Sequence, residues 1–154
     1  MRRTIGTIGA LAVAGAVTTG VGAAHAAPVP VYQIPASAVA VSGLVVPGPY
    51  FANVTAATTG IRGETAFSAP ASPSICSSSA AGALVRIGYL NTATGRSGVT
   101  TVKPCPYYLN PTPVVSKVRT GSGQIIVTVQ VTGSAAYPNA GQPSLPGIGT
   151  FTAP

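Results

Sequence analysis

Between its prolines and glycines the chain alternates apolar and polar residues with a period of two, the signature of strands buried on one face. The clearest stretch is Gln124 to Thr132, where Ile125, Val127, Val129 and Val131 share one face and Thr128, Gln130 and Thr132 the other. Just upstream, Val114, Ser116 and Val118 alternate with Val115, Lys117 and Arg119, and Gly121-Ser122-Gly123 offers a tight connection. Residues 113 to 132 are therefore predicted to form a hairpin. A second hairpin is predicted from Ala83, Val85, Ile87 and Tyr89 on one face, a turn through Asn91 to Gly98, and a return strand from Val99 to Lys103. Further strands are predicted over Ala38 to Val46, Tyr50 to Ala56, Ile61 to Phe67 and Gly147 to Thr152, with bends near Gly60 and Gly63 and a turn at Pro47-Gly48-Pro49. The segments Pro70 to Ala81 and Ala135 to Pro146 are rich in Ser, Ala, Pro and Asn, and are expected to be exposed loops. The prediction is all-β: about seven or eight short strands in an antiparallel sandwich, with a small barrel as the alternative.

The N-terminus follows a different pattern. Met1-Arg2-Arg3 is a short basic head, Thr4 to Ala23 is an apolar stretch of small residues, and Ala24-His25-Ala26 matches the A-x-A exit of a secretory signal. Residues 1–26 are thus expected to be removed, leaving 27–154 as one domain that starts at Ala27. The glycines and threonines of the stretch favour cleavage over a retained membrane anchor, and the fragmentary arginine motif favours ordinary secretion over twin-arginine export. The expected location is extracellular, in association with the cell envelope. Thiols oxidise there, so Cys76 and Cys105 are expected to form a disulfide. Closing a loop of about thirty residues would stabilise the fold by roughly 3 to 4 kcal/mol in the chain-entropy model.

Two resemblances follow from these residues. Gly82 to Val102, with its alternating strand and N-T-x-T-G-x-S-G turn, resembles hairpins of bacterial immunoglobulin-like domains. The small-residue signal and the Ala/Gly/Thr-rich composition are similar to small secreted proteins of high-GC actinobacteria. The likeness implies an immunoglobulin-like sandwich and no particular activity. In size and export the chain also resembles the neocarzinostatin-like sandwiches, which carry apolar ligands; they typically have two disulfides where this chain can have one.

Charge narrows the chemistry. Beyond residue 26, Arg62, Arg86, Arg96, Lys103, Lys117 and Arg119 stand against Glu64, with no histidine and no aspartate. A hydrolase triad lacks its base, and glycoside hydrolysis lacks its second carboxylate. The same inventory cannot complete a zinc or calcium shell, so no catalytic residue, metal or cofactor is expected. Nucleic-acid binding lacks a dense basic run. What remains is contact. On one reading Lys117 and Arg119, on one side of a strand, are extended by Arg86 and Lys103 into a stripe facing an anionic envelope polymer; the favoured reading is that isolated cations keep the domain soluble and blunt its sheet edges. Lys103-Pro104-Cys105-Pro106-Tyr107-Tyr108-Leu109-Asn110-Pro111 is stiffened by prolines and pinned by the expected disulfide, which would suit Tyr107 and Tyr108 to a protein or glycan contact; the favoured reading is structural, a connection between the two hairpins in which one tyrosine caps the core. The leading expectation is a secreted, non-enzymatic domain acting by surface contact. The alternatives are a carrier of a small apolar ligand, or a protease inhibitor with Lys103 or a residue in Ser74 to Ser79 at the reactive position.

Overall fold

The computed structural model describes residues 26–41, 44–133 and 144–154. Among these residues twelve strands, against the seven or eight expected and several of them very short, follow one another: β1 (Pro28–Val29), β2 (Tyr32–Ile34), β3 (Ala36–Val41), β4 (Leu44–Ala52), β5 (Thr55–Thr58), β6 (Glu64–Ser68), β7 (Leu84–Asn91), β8 (Ser97–Val102), β9 (Val115–Arg119), β10 (Gly123–Thr132), β11 (Ser144–Leu145) and β12 (Gly147–Ala153). A four-residue helix, α1 (Pro73–Cys76), and a 3-10 turn over Ser79–Gly82 lie between β6 and β7. Three antiparallel sheets result, with orders β1-β5-β6-β9, β2-β12-β10-β7-β8 and β11-β3-β4. The fold is the predicted all-β, sandwich-like class. The expected signal segment 1–26 falls almost wholly outside the described residues.

The core lies where the apolar faces meet. From the five-stranded sheet come Val85, Ile87, Ile125, Val127, Val129 and Phe151; Phe67 comes from the four-stranded sheet, and Ala38 and Tyr50 from the three-stranded one. Phe67 meets Phe151 edge to face at 5.8 Å between ring centroids, an arrangement favoured by the ring quadrupoles. The predicted β10 faces are correct: Ile125, Val127, Val129 and Val131 are buried, and Thr128 and Gln130 are exposed. The predicted hairpin across residues 83–103 also forms, with Leu90 opposite Ser97.

The other predicted hairpin does not form. β9 pairs with β6, whereas β10 pairs with β7 and β12, so Thr120 to Ser122 carries the chain from one sheet to another. Gly121 and Gly123 adopt φ of 77° and 114°, which L side chains rarely adopt, and this releases the corner. Asn91 then fixes it. Its fully buried amide donates to the carbonyls of Thr120 and Ser122, both at 3.0 Å, and accepts from the backbone N–H groups of Ala93 and Thr94 at 2.9 and 3.0 Å. All four hydrogen-bonding positions of the amide are used.

Other corners depend on similar local devices. The strand predicted from Tyr50 to Ala56 breaks at Asn53 and Val54, because β4 and β5 belong to different sheets. There the side chain of Gln33 donates to the Val54 carbonyl at 2.8 Å and accepts from its N–H at 2.9 Å, standing in for a neighbouring strand. Ala38 to Val46 is likewise divided between β3 and β4, with residues 42 and 43 outside the described set. Pro47-Gly48-Pro49 lies inside β4 instead of forming a turn: the register jumps so that Val46 to Pro49 oppose Val39 alone. β4 is an edge strand, where a proline removes no necessary ladder bond. The strand predicted from Ile61 begins only at Glu64, because Gly60 and Gly63 turn the chain with positive φ. Gly147, at the start of β12, lies so near the β2–β3 junction that an added Cβ would collide with the Ala36 nitrogen and the Ile34 carbonyl oxygen. Pro70 to Ala81 is only partly an exposed loop, since α1 places Ile75 against the core and Ala80 is buried. Most of the segment expected from Ala135 to Pro146 lies outside the described residues.

Two outcomes test this account. Asn91→Ala orphans two carbonyls and two N–H groups at the corner and should lower unfolding stability by about 2 to 4 kcal/mol in urea titration; a loss below about 0.5 kcal/mol contradicts the assigned role. The Tyr50 hydroxyl is buried without a hydrogen-bond partner, and burial pushes its phenol far above the ordinary tyrosine range. Its protonated form is favoured by folding, so this contribution is full below about pH 10 and falls as pH rises above it, where the unfolded chain ionises first. Tyr50→Phe should raise neutral-pH stability by about 1 kcal/mol and flatten the alkaline decline.

Candidate functional site

The region with the most distinctive presentation is the 103–113 loop, and its neck forms first. The Lys103 N–H donates to the Pro113 carbonyl at 3.0 Å, closing the segment on itself. Cys105, nearly fully buried, is bonded to Cys76 on α1, with Cα atoms 5.5 Å apart, so the expected disulfide is present. Ser72 caps α1 by accepting from the Ile75 N–H, which holds the Cys76 end of the staple in place. The Ala71 N–H also donates to the Pro104 carbonyl at 3.4 Å, tying the loop to the chain entering the helix.

Inside the loop Lys103 serves as a clamp. Its Nζ donates to the carbonyls of Tyr108 and Asn110 at 3.1 and 3.0 Å. The Tyr108 N–H donates back to the Cys105 carbonyl, and Asn110 Oδ1 accepts from the Thr112 N–H. Four prolines, at 104, 106, 111 and 113, limit the backbone further. This tethered neck presents side chains outward: Tyr107 is 96% exposed and Leu109 97%, while Tyr108 is 39% exposed. Beneath them an apolar cleft of about 420 Å³ is lined by Ala71, Pro73, the two half-cystines, Pro106 and both tyrosines.

The cations do not form the expected stripe. Lys117 and Arg119 are exposed on the same side of β9, as predicted, but Arg86 belongs to β7 in another sheet, and Lys103 is turned into its own loop. Arg96 is the cation brought beside Arg119, donating to its carbonyl at 3.2 Å. Glu64 lies in register opposite Arg119 on β6. Among the described residues no three His, Cys, Asp or Glu side chains gather as a metal site, and no helix is long and apolar enough to cross a membrane.

Sequence reasoning singled out the loop, the disulfide and the pair Tyr107 and Tyr108 without choosing between them, but missed the wall of the cleft at Ala71 and Pro73 and the exposure of Leu109. Nothing in the spacing of residues 71–73 ties them to a loop thirty residues away. Leu109 carried a usable signal, since a large apolar residue in a proline-bounded turn rarely finds core contacts.

If the clamp holds the loop rigid, Lys103→Met should speed chymotryptic cleavage after Tyr107 and Tyr108 by about tenfold, and reduction of the disulfide should do so further. Equal cleavage rates in the intact and altered proteins would show that neither tether limits the loop's motion. Comparison of the chain with protein-family models, curated proteins and solved structures yields no match.

Proposed function

We propose that this is a secreted, non-enzymatic, immunoglobulin-like domain that acts by surface contact at or outside the cell envelope, with the 103–113 loop as its contact element. The observation that carries the reading is the near-complete exposure of Tyr107 and Leu109 on a loop fastened by a disulfide, a lysine clamp and four prolines. Because the loop backbone is already fastened, little backbone freedom is lost when these large apolar side chains bind, so more of the favourable burial remains as affinity. The partner that fits is a protein, or an anionic envelope polymer with an apolar component. Lys117, Arg119 and Arg96 add long-range attraction, and a domain with one carboxylate does little to oppose it. That same scarcity of proton-transfer groups supports a binding role over a catalytic one.

The carrier reading has its own observation, the apolar cleft beside the disulfide, whose volume lies within the range of small-molecule sites. The inhibitor reading draws no support. Lys103 is half-buried and committed to two carbonyls, and Ser74 to Ser79 lie in α1, its C-cap and the start of the 3-10 turn, whereas a reactive position must be extended and free.

Capture from envelope extract and culture fluid, using the secreted protein as bait, tests the proposal. A specific partner should be retained, and Tyr107→Ala with Leu109→Ala should weaken retention at least about tenfold without changing circular dichroism. Replacing Lys117 and Arg119 with Gln should make any polymer retention less sensitive to salt. Retention unaffected by the loop substitutions would remove the loop from the function. Saturable binding of an apolar dye in the cleft, with no macromolecular partner retained, would favour the carrier.

A further inference from the structure

The outward face of the five-stranded sheet carries an apolar surface that the 103–113 loop does not explain. The registers place side chains in rows across it. One row runs Tyr32, Thr150, Ile126, Leu90, and the next runs Ile34, Ile148, Thr128, Gly88, Val99. Tyr32 is 76% exposed and Ile34 69%, and Ile148, Leu90 and Val99 are also exposed. On the β2 side, Tyr32, Ile34, Ile126 and Ile148 border a shallow groove of about 600 Å³. Among the described residues of this sheet's strands, Arg86 is the one charged side chain, and it stands in the next row, opposite Gln130, toward one end of the face.

We propose that this face is the interface of a homodimer, in which a second copy of the chain lays the same sheet upon it. Three features select a second copy. The first is extent: five strands at about 4.8 Å spacing, and β10 from Gln124 to Gln130 at about 3.3 Å per residue, give a face of roughly 24 by 23 Å. That is about 550 Å² in projection and more in accessible area, against about 800 Å² per partner in a stable interface. The second is self-complementarity. A twofold axis lying in the face and crossing the strands sets the apolar β2 side of one copy on the same side of the other, as an isologous contact requires. The third is charge. The same operation sends the two Arg86 side chains to opposite ends, so neither is buried against its like, and the remaining polar groups of the two rows are neutral hydroxyls, of which that of Thr150 is already satisfied by the Ile125 carbonyl and Gln124. An oppositely charged partner would find almost nothing here to recognise, whereas sheet-on-sheet packing needs only shape and apolar area.

Sedimentation velocity of the secreted protein at physiological salt tests this. The expected result is a monomer–dimer equilibrium, with Ile148→Lys and Ile34→Lys each raising the dissociation constant at least about tenfold. Val99→Lys, on the far side of the same face, supplies an independent variant if either isoleucine change impairs folding. Hydrogen exchange of the unaltered protein supplies a readout that needs no variant: concentrating it should slow exchange in β2 and β12 and leave the 103–113 loop unchanged. A protein that stays monomeric to about 1 mM overturns the proposal. So does a dimer indifferent to all three lysine substitutions, or a monomer whose groove binds anilinonaphthalene sulfonate and loses it in Ile148→Lys, which would assign the face to a small apolar ligand.

Discussion

The architecture turns on one buried amide. Asn91 ends β7 and begins the turn to β8, and its side chain holds the two carbonyls of the corner through which the chain passes from β9 to β10. Those two strands belong to different sheets, so the corner decides that the molecule has opposed layers instead of one continuous meander. A buried polar group is tolerable only when its bonding capacity is filled, and here the backbone of two separate turns fills it. Next to it, the hydroxyls of Thr65 and Thr120 lie 2.8 Å apart in a buried pair, and the Gly121 N–H donates to the Gly63 carbonyl. The β5–β6 turn, the β7–β8 turn and the sheet crossing are thereby fastened at one point.

The same economy recurs elsewhere. With few charged residues and few large aromatics, the domain fastens its chain through side chains that bond to backbone: the neutral amide of Gln33 completes the ladder at Val54, and the Lys103 ammonium gathers two carbonyls of its own loop. Alanine and glycine occupy many inward positions, which lets backbones approach closely, as Gly147 does at the β2–β3 junction. Large side chains that find no place in such a thin core are left outside. Many of them collect at the tip of the clamped loop and on the outer face of the five-stranded sheet, the two surfaces to which binding is assigned, while others, Phe51 and Leu145 among them, lie on the three-stranded sheet.

Local pattern was sufficient for strands whose two faces differ sharply. The two faces of β10 could be read from the sequence, and the β7–β8 hairpin to within about two residues at its strand ends, because alternation and turn chemistry agree there. It failed where neighbouring segments in sequence part company in space. Val114 to Thr132 has every local mark of a hairpin, and a Gly-Ser-Gly link serves a tight reversal and a sheet crossing equally well. A signal for the crossing did exist at Asn91, since an asparagine followed by small turn residues often accepts bonds from the backbone just ahead of it. That its two donors reach residues 120 and 122 could not be read from it.

From residue types alone came the period-two strands, the single disulfide and the scarcity of proton-transfer groups, because each is a property of side chains taken one at a time or in short runs. Only the folded chain decided which strands are neighbours, that Lys103 turns inward while Arg96 joins Arg119, and that Tyr107 and Leu109 stand free beside an apolar cleft. Those outcomes depend on closing loops of thirty residues or more and on competition among many compatible strand pairings. Such competition is settled by burial and hydrogen-bond satisfaction over the whole domain, and no short window of sequence contains it.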